Sequence, residues 1–164
     1  MKKSITKTMF FINFFYISIL LLYTQTFADI CVAPYQSPSG FSVDLPAWDR
    51  SEMMKQDALE FICAHSQYIY IKIIKLKNPP DDILHYMSWK IWDTDPNAHF
   101  VIKDKLEDGG IIISTYRNKT YSLHRVRMIQ QKEYTYIIEC SAPEKSFYNY
   151  EKYFNRVFKS FTLQ

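Results

Sequence analysis

The stretch HFVIKDKLEDGGIIISTYRNKTYSLHRVRMIQQKEYTYIIECSA (His99–Ala142) decides how this chain folds. It holds four runs rich in β-branched and aromatic residues, each of strand length. Asp108-Gly109-Gly110 parts the first two, and glycine enters the positive-φ region of tight hairpins without steric cost. Gln131-Lys132-Glu133 makes a polar turn before the last run. Connections this short return the chain antiparallel, because a parallel neighbour needs a crossover of a dozen residues or more.

Upstream, ALEFICAH and YIYIKIIKLK, parted by Ser66-Gln67, predict two more strands. The second is apolar on both faces, as a central strand should be. GFSVDLP predicts a short strand stopped by Pro46. In NPPDD, Asp81 or Asp82 is placed to cap a helix over ILHYMSWKIW, which must end before Pro96. A last helix follows Pro143 and runs to about Phe161. Strand, two strands, helix, four strands, helix is an α+β order, a largely antiparallel sheet flanked by helices.

The two helices distribute their rings differently. In KSFYNYEKYFNRVFKSFTLQ (Lys145–Gln164), Phe147, Tyr150, Phe154, Val157, Phe158 and Phe161 fall within about 100° of arc. That is a core-facing stripe, with Tyr148 alone among the polar residues. In the first helix, Ile83, Leu84, Met87 and Ile91 form the corresponding stripe, and Tyr86, Trp89 and Trp92 lie outside it. With Trp48 these rings are the candidate partner surface, since Tyr and Trp offer large contact area with few rotors. The competing account has the Ala47–Asp57 segment folding over this helix and burying them.

The first 28 residues predict a secretory signal peptide. Lys2, Lys3 and Lys7 precede an apolar run from Met9 to Tyr23, and Thr26 and Ala28 suit a cut after Ala28. The run carries Asn13 and Ser18 and falls short of the ~20 residues of a membrane span. The expected organisation is a signal at 1–28, a lead at 29–38 and one domain at 39–164, periplasmic or secreted. No stable membrane insertion is expected after cleavage. The three leader lysines account for the whole formal charge of +3, so 17 basic residues face 17 acidic ones from Asp29 onward. Neither nucleic acid nor an anionic membrane surface is implied as a partner. Cys31, Cys63 and Cys140 allow one disulfide in an oxidising compartment. Cys63 and Cys140 also fit as small buried hydrophobes.

Catalytic and cofactor motifs are absent. With glycine only at 40, 109 and 110, neither a P-loop nor a dinucleotide fingerprint can be built. G-x-S-x-G, H-E-x-x-H and C-x-x-C do not occur, and no cofactor, metal site or catalytic residue is expected. His65, His85, His99 and His124 fall on different elements. Cys63 and His65 share a strand face, which reads as a buried thiol beside a strand-end histidine. Asp93-Thr94-Asp95 reads as a solvated helix-end turn. Arg125 and Arg127, sharing a face with Tyr121 and Leu123 near the Arg117–Thr120 turn, read as a solvent-facing strand surface. An enzyme would require His65, His99 or His124 to converge with a carboxylate in a cleft.

Two end signatures carry a resemblance: G-F-S-x-x-L-P at Gly40–Pro46 and F-x-x-x-x-x-S-F at Phe154–Phe161. With the helix after NPPDD and the hairpin-rich middle, the chain resembles the PsbP-like superfamily, which includes bacterial DcrB-like exported proteins. One departure is Pro46-Ala47-Trp48, where the family often has Pro-x-x-Trp. The resemblance implies an antiparallel sheet with helices and a non-enzymatic binding or assembly role towards a protein partner. A secreted inhibitor or immunity-type protein is the alternative.

Overall fold

The computed structural model describes residues 32–55, 58–77, 79–92, 98–117 and 119–164, with the side chains at 54, 55, 89, 91 and 92 outside the description. The leader, Cys31, the Asp93–Asp95 turn and the Trp89 and Trp92 side chains therefore lie outside the described residues.

The elements run β1 (Val32–Ser37), β2 (Phe41–Pro46), β3 (Asp49–Lys55), β4 (Ala58–Ser66), β5 (Ile69–Leu76), α1 (Ile83–Trp92), β6 (His99–Lys105), β7 (Ile111–Arg117), β8 (Thr120–Gln131), β9 (Tyr134–Pro143), α2 (Phe147–Ser160) and β10 (Thr162–Leu163). Seven strands form one sheet in the order β3-β4-β5-β9-β8-β7-β6, and β1-β2-β10 form a small second sheet. The strand pairings are antiparallel. The Asp108–Gly110 turn closes β6 on β7, with Gly109 at φ 78°. The Leu106 N–H there donates to the Gly110 carbonyl at 2.8 Å.

Three strands have no apolar alternation to announce them. β1 (VAPYQS) is an edge strand in which Pro34 is tolerated, and β10 is two residues long. β3 (DRSEMMK) lies where the sequence suggested a loop over the first helix. It pairs along β4 instead, from Asp49 opposite Ala64 to Lys55 opposite Ala58. Backbone hydrogen bonding to an open sheet edge asks little of the side chains.

Register assigns each strand two faces. One face presents Leu59, Phe61, Cys63, Ile71, Ile73, Ile138 and Cys140, all buried. On it sit α2 and the small sheet: Phe41 meets Phe61 edge-on at 6.2 Å and stacks on Phe161 at 5.6 Å. Helix α2 buries Phe147, Tyr153, Phe154, Val157 and Phe158, as its stripe predicts, with Tyr153 in place of the half-buried Tyr150. Tyr148 is 65% exposed.

The opposite face carries α1. Met87 and Tyr86 pack there with Ile113, Val126 and Ile137. Asp82 caps the helix, its Oδ1 accepting the His85 N–H at 2.7 Å, the geometry of an N-cap bonding the third helical amide.

Candidate functional site

Glu139 sits in the middle of β9, between Ile138 and Cys140, whose side chains point to the opposite face. Its own side chain points under α1 and has no solvent exposure. An unpaired buried carboxylate would cost many kcal/mol, so donors must surround it. Four side chains do. Lys90 pairs with Oε1, and His124 Nδ1 lies 2.9 Å from the same oxygen. The Tyr70 hydroxyl donates to Oε1 at 2.9 Å and the Tyr86 hydroxyl to Oε2 at 3.0 Å. They arrive from α1, β5 and β8, so three elements are tied to one strand residue.

Burial alone would raise the Glu139 carboxyl, but the Lys90 charge, with the hydrogen bond from His124, holds it well below its ordinary range. Burial lowers His124, only partly opposed by its bond to Glu139, so its ring is neutral at pH 7. Burial first, and then the Glu139 charge, push both tyrosine hydroxyls well above their ordinary value. An ionised Glu139 beside a neutral imidazole fixes the tautomer. Nδ1 carries the hydrogen, and Nε2 accepts from the Thr115 hydroxyl at 2.8 Å.

Among the described residues, the face around this network is not fully roofed. Helix α1 has 10 residues, or about 15 Å, whereas β8 has 12, or about 40 Å. The uncovered end, between the β4–β5 and β7–β8 turns, is a cleft of about 420 Å³. Tyr70, Lys90, Thr115, His124 and Ser141 line it, with Tyr68, Arg117, Thr120 and Ser122 towards the rim. Its size is within the ~300–1,000 Å³ usual for small-molecule sites.

Of the rings singled out in the sequence, two are buried. Tyr86 belongs to the stripe Ile83, Tyr86, Met87, Lys90 that faces the sheet, while Leu84 is 37% exposed. The helix is turned from its apolar optimum because Tyr86 and Lys90 are the side chains able to answer Glu139. Trp48 packs against Tyr150 and Tyr153 of α2 at 6.0 and 6.1 Å, on the other side of the sheet. Neither ring offers itself to a partner, and the two do not form one surface.

Cys63 and Cys140 are both buried free thiols. Each stands opposite Ile71 of the intervening β5, so two strand spacings, about 9.6 Å, part their Cα atoms. A disulfide tolerates no more than about 7 Å. Arg125 and Arg127 are not on an open strand face either. They lie under α2, with the Arg125 guanidinium 4.3 Å from the Phe158 ring centre, and both reach Asp108. His65 rests near Trp48, His85 near Asp81, and His99 against Tyr116. Among the described residues, no three His, Cys, Asp or Glu side chains gather as metal ligands would.

A larger hollow of about 610 Å³ runs beside α2, lined by Asp108, Arg125, Arg127, Phe154, Asn155 and Phe158. Its charges are answered internally: Arg125 bonds both Asp108 and Asn155, although the Nε atoms of both arginines are buried without a partner. We take it as the seam along which α2 docks and place the site at the smaller cleft, where polar groups of five elements converge.

The solution structure of cyanobacterial PsbP (CyanoP) from Synechocystis sp. PCC 6803 matches this architecture with a TM-score of 0.57, over 82% of this chain and 94% of that one. The fold is PsbP-like. Sequence identity is 12%, so the likeness is one of fold. A crystal structure from Bacteroides thetaiotaomicron VPI-5482 (TM-score 0.42, 13% identity, 80% of this chain and 48% of that one) matches less well. So does LpqN of Mycobacterium tuberculosis, described as involved in cell envelope biogenesis (TM-score 0.37, 11% identity, 83% and 92%). No family model and no curated protein matches the chain. The PsbP-like frame accounts for the antiparallel sheet, and the Glu139 network is read from its own chemistry.

Glu139, Tyr70, Lys90 and Thr115 were missed by sequence reasoning. One signal was available for Glu139. In YTYIIECSA it is the lone acidic residue of a strand apolar on both faces, and such a residue must be buried and answered.

Proposed function

We propose that this chain is an exported, non-catalytic binding module whose ligand site is the cleft over Glu139. The observation that carries this is the cleft's floor, a fully buried carboxylate held by four side-chain donors. Side chains fixed in this way leave few rotors to freeze, which lowers the cost of binding. The signal-like leader supports a periplasmic or secreted location.

Thr115, His124 and Glu139 stand in the order of a nucleophile, a base and its acid, so acyl transfer is the competing use. Two features weigh against it. Around Thr115 and His124, β7 and β8 pair with strands on both sides, so their amides are engaged in the sheet and cannot form an oxyanion hole. Glu139 also answers Lys90 and two tyrosines, not His124 alone.

The test is thermal stability of the purified protein with host extract split by size. The low-mass fraction should raise Tm, and Ser122→Trp or Thr120→Trp, which crowd the cleft, should abolish the rise. A rise only with the macromolecular fraction would overturn the small-ligand reading and favour an inhibitor or assembly role. Turnover of p-nitrophenyl acetate that disappears in Thr115→Ala would overturn the non-catalytic one.

A further inference from the structure

The charges of the cleft select among ligands. Lys90 and Glu139 cancel, and His124 is neutral. Arg117, at the end of β7, is exposed, lines the cleft and has no ion-pair partner among the described residues. Glu139 is sealed beneath the floor, and among the described residues no other carboxylate lines the wall. The described lining therefore carries one net positive charge, at its rim. A guanidinium presents a planar fork of donors that matches a carboxylate.

The remaining wall is hydroxylic. Thr115, Thr120, Ser122, Ser141 and Tyr70 bring five hydroxyl oxygens to one cavity; the Tyr70 hydrogen is given to Glu139 and the Thr115 hydrogen to His124, so towards a ligand these two serve as acceptors. Tyr68, 58% exposed, stands beside them with its ring open to solvent. Met87 contributes the apolar side of the lining. A hydrophobic ligand would match none of the polar valences this wall still offers, at a cost of roughly 1–3 kcal/mol for each group it strips of water and leaves unpaired. A bare inorganic anion would use the arginine and leave most of the wall idle.

We propose that the cleft binds a small hydroxylated organic monoanion of the sugar-acid class, its carboxylate on Arg117, its hydroxyls on the Ser and Thr wall, and its ring beside Tyr68. This rests on the reading of the cleft as a ligand site and adds the chemistry of what fills it.

Titration calorimetry with glucuronate, glucose and inorganic phosphate tests it. Glucuronate should bind, with affinity at least about tenfold above both glucose and phosphate, a gap of about 1.4 kcal/mol. Arg117→Gln should erase the preference for glucuronate over glucose, and Arg117→Lys should restore part of it. Because Arg117 is exposed, neither variant should change Tm. Equal binding of glucose and glucuronate would overturn the anion assignment, and phosphate binding as tightly as glucuronate would overturn the hydroxyl assignment. If glucuronate fails while the low-mass extract still stabilises the protein in a Ser122→Trp-sensitive manner, this inference fails and the cleft remains a ligand site.

Discussion

At the scale of the residue, Glu139 organises the molecule. Glu139→Gln keeps the shape but removes the charge that Lys90 and His124 answer, and should cost on the order of 3 kcal/mol. Pairing it with Lys90→Met should recover part of that loss, because the orphaned ammonium leaves with its partner. Denaturant midpoints for the two single variants and the double measure this. If the double loses as much as the sum of the singles, Lys90 and Glu139 do not act as a pair. Acid should destabilise the fold in two stages, since both groups are shifted down. Below about pH 6.5 the unfolded chain takes up a proton that the buried His124 refuses. Below about pH 4.5 the unfolded glutamate does the same, and the stability held in Glu139 is lost as pH falls towards its folded pKa. Urea midpoints at pH 7.5 and 5.5 should therefore drop for the natural chain, and drop less for His124→Gln. Cys63 and Cys140 are raised chiefly by burial. Both should resist a thiol reagent in the native protein and react once it is denatured.

At the scale of the element, apolar period was a faithful guide wherever apolar packing alone set the geometry. Helix α2 lies on a hydrophobic face, so its stripe predicted Phe154 and Phe158 inside and Tyr148 outside, as found. Phe154→Ala should cost about 3–5 kcal/mol and Tyr148→Ala less than about 0.5. Chemical denaturation of the two variants checks the assignment, and similar losses in both would contradict it. Period misled on α1 because the face beneath it is not purely apolar. Leu84 gave up the inward position to Tyr86, whose hydroxyl reaches Glu139, and that partner is 53 residues away in the chain. A long-range polar contact leaves no periodic trace in its own helix. Strand β3 was illegible for a related reason. An edge strand is specified by its neighbour's open hydrogen bonds, and DRSEMMK carries no alternation of its own.

At the scale of the whole molecule, the antiparallel α+β order was readable from hairpin signals and element sequence, and the fold agrees with it. The site was not readable, because Tyr70, Lys90, Thr115, His124 and Glu139 come from five separate elements and meet only through sheet register. The cleft itself follows from a mismatch in length, since a three-turn helix cannot roof the longest strands of the sheet. Of the two larger hollows, the one on the α1 face is the proposed ligand site and the other is the seam of α2 docking. Amide chemical shifts of the isotopically labelled protein, recorded as low-mass host extract is added, compare the two directly. Changes should be confined to Tyr68, Tyr70, Thr115, Arg117, Thr120, Ser122, His124 and Ser141. Changes centred instead on Asp108, Arg125, Asn155 and Phe158 would contradict that placement of the ligand site.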